Sequence, residues 1–211
     1  MPTLMYFDLQ GRAQAIRFLL QAAGVEFEDQ RLTGEQWRPI KEAGTYGEGG
    51  MPIYIDSNGT YYKQSMAILK MLAFENGFNP ETPLQEYEAQ WHIDTMIDCF
   101  HGKPAFYALF KDDATEEDVA PCIEMIKGHA KKLNDRYADG RTHAAGDKIT
   151  YADFILLTNV TSILENPGLK SQFVKDACAA IISESANIQR VVQPLKERLS
   201  AQIAALPRTS L

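Results

Sequence analysis

Strand patterning is confined to the first third of this 211-residue chain, and that asymmetry limits what the chain can fold into. Residues 4–7 form a short β-prone run closed by Asp8. From 12 to 23, Ala15, Ile16, Leu19, Leu20 and Ala23 recur at helical spacing, and Gly24 stands where a helix ends in a left-handed residue. Residues 27–32 alternate as a half-buried strand does, 36–41 suit a short helical turn, and 44–50 form a glycine-rich loop. Two further runs, 53–55 and 60–62, flank Ser57-Asn58-Gly59, whose Asn-Gly pair tolerates the positive φ of a tight hairpin. A helix over 65–76, N-capped by Ser65 and stopped by Gly77, completes a β-α-β-α-β-β-α order. Such an order packs helices onto a small mixed sheet.

Beyond Phe78 no strand pattern occurs. Pro80 and Pro83 mark a linker over 78–84, and long helical patterns follow at 84–110 and 115–137, with Pro104 and Pro121 expected to bend or break them. Thr150 and Asp153 spell a capping box, and Ile149 with Phe154 the flanking hydrophobic staple, which predicts a helix from Tyr151 to about Leu164. Two more helices are expected over 169–206. The predicted fold class is therefore α/β followed by all-α: a first domain over 1–77, the linker, and an all-helical domain over 85–211.

Charge narrows the function classes. A net charge of −7 argues against nucleic acid as the main partner, because phosphate binding needs a basic surface. It leaves room for a small anionic ligand, which needs only a few placed cations and backbone N–H groups. No apolar stretch approaches the ~20 residues that span a bilayer, so no membrane partner is expected. Cys99, Cys122 and Cys178 are odd in number, far apart and free of any Cys-x-x-Cys pattern. They read as reduced, half-buried packing residues of a cytoplasmic protein.

The segment Tyr6-Phe7-Asp8-Leu9-Gln10-Gly11-Arg12-Ala13-Gln14-Ala15-Ile16-Arg17 resembles the N-terminal segment of sigma-class, tyrosine-type glutathione transferases. Trp37-x-x-x-Lys41, Met51-Pro52 and Gln64-Ser65-x-Ala67-Ile68 are similar, in order, to that family's glutathione-site signatures. Residues 145–153, Ala-Gly-Asp-Lys-Ile-Thr-Tyr-Ala-Asp, resemble its helix-capping motif. The resemblance spans both expected domains. It implies a thioredoxin-like domain followed by a helical one, glutathione as co-substrate, a small electrophile as second substrate, and a homodimer.

The same resemblance makes Tyr6 the catalytic residue and puts Tyr6, Arg12, Trp37, Lys41, Met51, Gln64 and Ser65 at the glutathione site. Each fits a γ-Glu-Cys-Gly ligand physically. Tyr6 ends the first strand, and a hydroxyl that donates to sulfur favours the thiolate. Arg12 opens the first helix and adds positive charge there. Met51 could pair its backbone with the cysteinyl unit as an added strand would, if Pro52 turns the chain through a cis bond; a trans proline at a strand start reads equally well. Gln64 and Ser65 sit at a helix N-terminus, which suits a carboxylate. Trp37 and Lys41, four apart, share a helix face. The resemblance has them grip the glycyl carboxylate; a packing Trp and a solvated Lys are the plain alternative.

The electrophile is expected between Tyr6 and the first helical segment, near Phe106, Tyr107 and Phe110. Tyr46 is a possible dimer plug. His92, Asp94, Asp98 and His101 lie on one helical stretch, and Asp94, Asp98 and His101 share a face that could serve a metal. In vertebrate prostaglandin D synthases of this class an Asp-Asp pair in this region helps bind a divalent cation; here His101-Gly102 replaces it, so no metal is expected. The same replacement removes an acid that meets the glutathione amine in many family dimers. Two other readings stay open: a non-catalytic relative, crystallin-like or a ligand carrier, and a glutathione-dependent isomerase of the prostaglandin D synthase type. A thioredoxin-like redox enzyme is disfavoured, because Tyr6 stands where that chemistry needs Cys or Ser.

Overall fold

The computed structural model describes residues 1–100, 106, 108–111 and 113–206. Its first part is a four-stranded sheet in the order β2-β1-β3-β4, built from β1 (Thr3–Phe7), β2 (Glu28–Leu32), β3 (Ile53–Ile55) and β4 (Tyr61–Lys63). β1 pairs with β2 in parallel and with β3 antiparallel, and β3 pairs antiparallel with β4 across the Asn-Gly turn. Helix α1 (Gln14–Ala23) crosses between β1 and β2 after a single 3-10 turn at Gly11–Ala13. It ends, as its sequence predicts, at a left-handed Gly24 with φ 69°. Ile16, Phe18, Leu19 and Leu20 of α1 have no exposed surface, and the helix packs against α3 (Ser65–Glu75) and α6 (Tyr151–Asn159). Helix α2 (Gly34–Glu42) follows β2 and is started by a reciprocal capping box between Thr33 and Gln36.

Beyond the sheet the described residues build helices and no strand: α4 (Pro83–Phe100), α5 (Glu116–Arg136), α6, α7 (Gln172–Ser183), α8 (Ala186–Arg198) and α9 (Ser200–Ala204). Three helices, not two, therefore occupy the last stretch. Pro121 does not break α5. A capping box at Thr115 and Asp118 and three acidic residues in the first turn start the helix, and the buried face of Val119, Cys122, Ile123 and Ile126 carries it past the missing N–H. Pro104 lies outside the described residues. Helix α6 is the central one, with Phe154, Ile155, Leu156 and Leu157 all at 1% exposure or less. Asp153 anchors its start, accepting from the N–H groups of Thr150 (2.8 Å) and Ala144 (2.8 Å). Phe154 meets Phe78 edge-on at 5.1 Å, and the Tyr151 N–H donates to the Phe78 carbonyl, so the segment after α3 is tied to the head of α6. The last turn of α6 continues as a π-helical segment at Val160–Leu164.

The three cysteines are all buried, more deeply placed than their sequence contexts predict. Burial pushes the Cys122 thiol up to about 12 and that of Cys178 up to about 11, which keeps both protonated and unreactive at neutral pH.

Two buried histidines make the fold acid-sensitive. His92 lies 3.0 Å from the Tyr137 hydroxyl and 3.3 Å from the Ala144 carbonyl through Nε2. Loss of hydration pushes it down to about 4, against the opposing pull of Asp153 and the bond to Ala144. His129 of α5 is pushed down to about 4 by the same loss of hydration, helped by Lys132. The unfolded chain takes up these protons near the ordinary histidine value of ~6.5, so stability is full above that pH and falls as pH drops toward 4. We expect denaturant unfolding at pH 4.5 to show about 2.5 kcal/mol less stability per histidine than at pH 7. His92→Gln should flatten the fall, and an equally steep fall in that variant would acquit His92.

Candidate active site

The strand registers bring distant residues into one row. β1 and β3 pair Met5 with Ile53, so one further step sets Tyr6 beside Pro52. β3 and β4 pair Ile53 with Lys63, so the next step sets Pro52 beside Gln64. Neighbouring strands lie ~4.8 Å apart, which puts the Tyr6 and Gln64 backbones about 10 Å apart across this end of the sheet. An extended tripeptide spans about the same length. The Met51-Pro52 bond is cis, so the chain turns as it enters β3, and Met51 is 8% exposed.

Tyr6 is 7% exposed, and its ring is held edge-on by Phe7 at 5.7 Å. Its oxygen accepts from the Arg12 N–H at 3.2 Å. A donor on the phenol oxygen polarises the O–H bond and makes its own proton a stronger donor. Arg12 is exposed at the 3-10 turn. Gly11 allows the chain to double back on Tyr6: its φ is +40°, and a Cβ there would lie 2.9 Å from the Tyr6 hydroxyl oxygen. Nothing in the bare spelling of this segment shows that contact.

At the other end of the row, the N-cap position of α3 belongs to Gln64, not to Ser65, which is the first helical residue. Gln64 has φ 73°, the one positive φ outside glycine among the described residues, and its own side chain makes no capping bond. The reversal at Gln64 ends β4 and begins α3 within one residue. The first-turn N–H groups therefore keep their affinity for an anion. Ser65 is 8% exposed and Gln64 is exposed. Beside this row, the Lys63 ammonium donates to the carbonyls of Tyr46 and Glu48 and ties down the glycine-rich loop before Met51. Tyr46 rests edge-on against Tyr61 of its own chain at 5.4 Å.

Trp37 and Lys41 separate in environment: Trp37 is 8% exposed within the core, whereas Lys41 is exposed in the last turn of α2. Phe106 and Phe110 meet edge-on at 5.7 Å, and Tyr107 lies outside the described residues. His92 does not join Asp94 and Asp98. His92 faces the core against Tyr137, while Asp94 and Asp98 are exposed and Asp94 accepts from Gln90 at 2.8 Å. An inward and an outward side chain two residues apart on one helix cannot share a ligand. His101 and Gly102 lie outside the described residues.

A sheet of this order carrying a site at one end, followed by a helical unit, defines a class of fold, and known proteins share it. Residues 99–198 match the family model described as glutathione S-transferase, C-terminal domain. Glutathione S-transferase P of Caenorhabditis elegans is 34% identical over 157 residues, covering 72% of each chain. Hematopoietic prostaglandin D synthase of Gallus gallus is 32% identical over 151 residues, covering 72% of this chain and 73% of that protein. The crystal structure of the glutathione S-transferase from Ascaris lumbricoides superposes over the full length of both chains with a TM-score of 0.78 at 24% identity. This chain belongs to the glutathione S-transferase family and is a glutathione transferase.

Proposed function

We propose that the chain is a tyrosine-type, sigma-like enzyme in which Tyr6 holds the sulfur of bound glutathione as a thiolate. The thiolate attacks an electrophilic carbon, forming a C–S bond as the leaving group or the electrophile's π electrons take the charge. The row from Tyr6 through Met51-Pro52 to Gln64 carries this reading, because it is one tripeptide long and has a hydroxyl at one end and an open helix start at the other. In it, Met51 pairs with the cysteinyl backbone, Gln64 and Ser65 take the γ-glutamyl carboxylate, and Arg12, Trp37 and Lys41 serve the remaining charges. Residues 1–77 bind glutathione and 85–211 contribute the electrophile site, joined by the linker 78–84.

Ionisation alone supplies little rate. A thiol of pKa ~8.5 is about 3% ionised at neutral pH, and a downward shift of ~2 units makes it roughly 75% ionised. Intrinsic nucleophilicity falls about tenfold over the same shift if a Brønsted slope of ~0.5 applies. Most of the acceleration therefore comes from holding the electrophile against the sulfur. Ultraviolet titration of the bound thiolate, alongside conjugation of a chromogenic electrophile, tests the proposal. A bound thiol that titrates like free glutathione removes Tyr6 from its role, and tight binding without turnover favours a ligand carrier. The prostaglandin D synthase relative favours a second reading, a glutathione-dependent isomerase, which analysis of the products from a prostaglandin endoperoxide would reveal.

A homodimer and a cytoplasmic location complete the proposal. Phe74 of α3 and Leu84 and Tyr87 of α4 are exposed by 75%, 69% and 58%, on helices that Lys70 links through Glu86 and Gln90. Surface of this kind suits a subunit contact. Sedimentation at micromolar concentration should show about twice the 23.6 kDa chain mass, and a monomer would end this part of the proposal. No helix among the described residues is long and apolar enough to cross a membrane.

A further inference from the structure

One side chain of the helical part reaches the loop that wraps Tyr6. Ser162 lies in the π-helical segment after α6 and donates its hydroxyl to Gln10 Oε1 at 2.6 Å. Both are buried, Ser162 to 5% and Gln10 to 1% exposure. Gln10 directly precedes the Gly11–Ala13 turn whose Arg12 N–H donates to Tyr6. The same loop is gripped from the sheet side by Arg17, whose Nη1 donates to the carbonyls of Leu9 (2.9 Å) and Gln10 (3.2 Å). Arg17 is itself fixed by Asp29 of β2 at 2.9 Å, and its guanidinium lies 5.9 Å from the Tyr6 ring centre. Segment 9–12 is thus held by Arg17 of α1, itself anchored on β2, and by a residue of the helical part 152 positions away in sequence.

We propose that Ser162 is a positioning residue for Tyr6, acting through Gln10 to hold the turn that orients the tyrosine hydroxyl toward the glutathione sulfur. Three observations carry this. The bond is short and fully desolvated, so it restrains the loop more firmly than a surface bond does. The π-helical segment has its own reason to exist here. A π turn shifts the side chains that follow by inserting one residue, and such turns concentrate at functional sites. Finally, Gln10 offers its carbonyl to Arg17 and its side chain to Ser162, so it cannot slide without breaking both. The inference rests on the proposed role of Tyr6 and assigns a helical residue to the same chemistry.

The test compares Ser162→Ala and Gln10→Met with the unmodified enzyme by titration of the bound thiol, glutathione KM and thermal unfolding. We expect the thiol titration to move up by about half a unit to one unit in either single variant, a three- to tenfold loss of thiolate at low pH. Glutathione KM, measured below both titrations, should change less than twofold, because Ser162 and Gln10 are not among the proposed ligand contacts. The double variant should titrate no higher than either single one, since one bond is lost in all three. Ser162→Cys, which keeps the shape and weakens the donor, should shift the titration in the same direction and serves if Ser162→Ala does not fold. Variants that melt earlier while their thiol titrates as in the unmodified enzyme would make the bond structural only and overturn the proposal. Tyr6→Phe run beside them separates the two claims. If it raises the thiol titration and the Ser162 variants do not, the Tyr6 role stands and the Ser162 role falls; if Tyr6→Phe also leaves it unmoved, the Tyr6 role falls first.

Discussion

Tyr6→Phe should raise the pKa of bound glutathione by about one to two units while leaving the fold intact. The ring that packs against Phe7 and under Arg17 is retained, so the buried surface hardly changes. On the proposed role of Tyr6, the variant loses a hydrogen bond to a charged sulfur, about 1.5–3 kcal/mol, which leaves a ten- to 150-fold smaller thiolate fraction below both titrations. The rate should fall less than that. The less stabilised thiolate is the stronger nucleophile, by roughly three- to twelvefold with a Brønsted slope of ~0.5, so activity at low pH should drop about three- to twelvefold. Above both titrations the two enzymes should draw level, or the variant should lead. A pH–rate profile shows this crossing directly. A profile depressed equally at every pH would mean that Tyr6 places the sulfur rather than ionising it.

Much of this architecture was legible in the sequence because its signals are local. Asn58-Gly59, Gly24 and the Thr150–Asp153 box each specify a backbone conformation within a few residues, and each lies where its chemistry predicts. The start of α3 was misread because Ser65 is a good cap by type, whereas the choice of Gln64 depends on where β4 releases the chain. Pro121 was over-read for a similar reason: propensity counts the lost N–H and not the buried face that outweighs it. The residues around Tyr6 were legible only as a motif. That Arg17 would lie at 1% exposure over the tyrosine ring, and that Gln10 would meet Ser162, are contacts between segments that no spacing encodes. His92 shows the converse. It was grouped with Asp94 and Asp98 only by lying on the same helical stretch, and the core contact with Tyr137 settles which way it faces.

Gly11→Ala should cost more turnover than Tyr6→Phe although it touches no reacting group. Alanine disfavours a φ of +40°, a strain of about 1 kcal/mol. The added methyl would also lie 2.6 Å from Leu9 Cδ1, 2.9 Å from the Tyr6 oxygen and 3.1 Å from Tyr6 Cε1. The Leu9 methyl can rotate away. The tyrosine cannot easily do so, because its ring is buried and Phe7 and Arg17 flank it. Either the hydroxyl moves or the turn lifts, and a lifted turn carries the Arg12 N–H away from the phenol oxygen. Both outcomes move the hydroxyl relative to the sulfur, and a displacement near 1 Å costs about a hundredfold in rate. Unlike the loss in Tyr6→Phe, this one should persist above the thiol titration, because geometry and not ionisation has failed. Stability should fall by only about 1–2 kcal/mol, so the purified variant should still bind glutathione. Kinetics across pH 6 to 9 with a chromogenic electrophile, read beside a melting curve, decide the matter. Full activity in a folded Gly11→Ala enzyme would show that the Leu9 side chain and the backbone absorb the contact, and that Tyr6 does not depend on the close approach of Gly11.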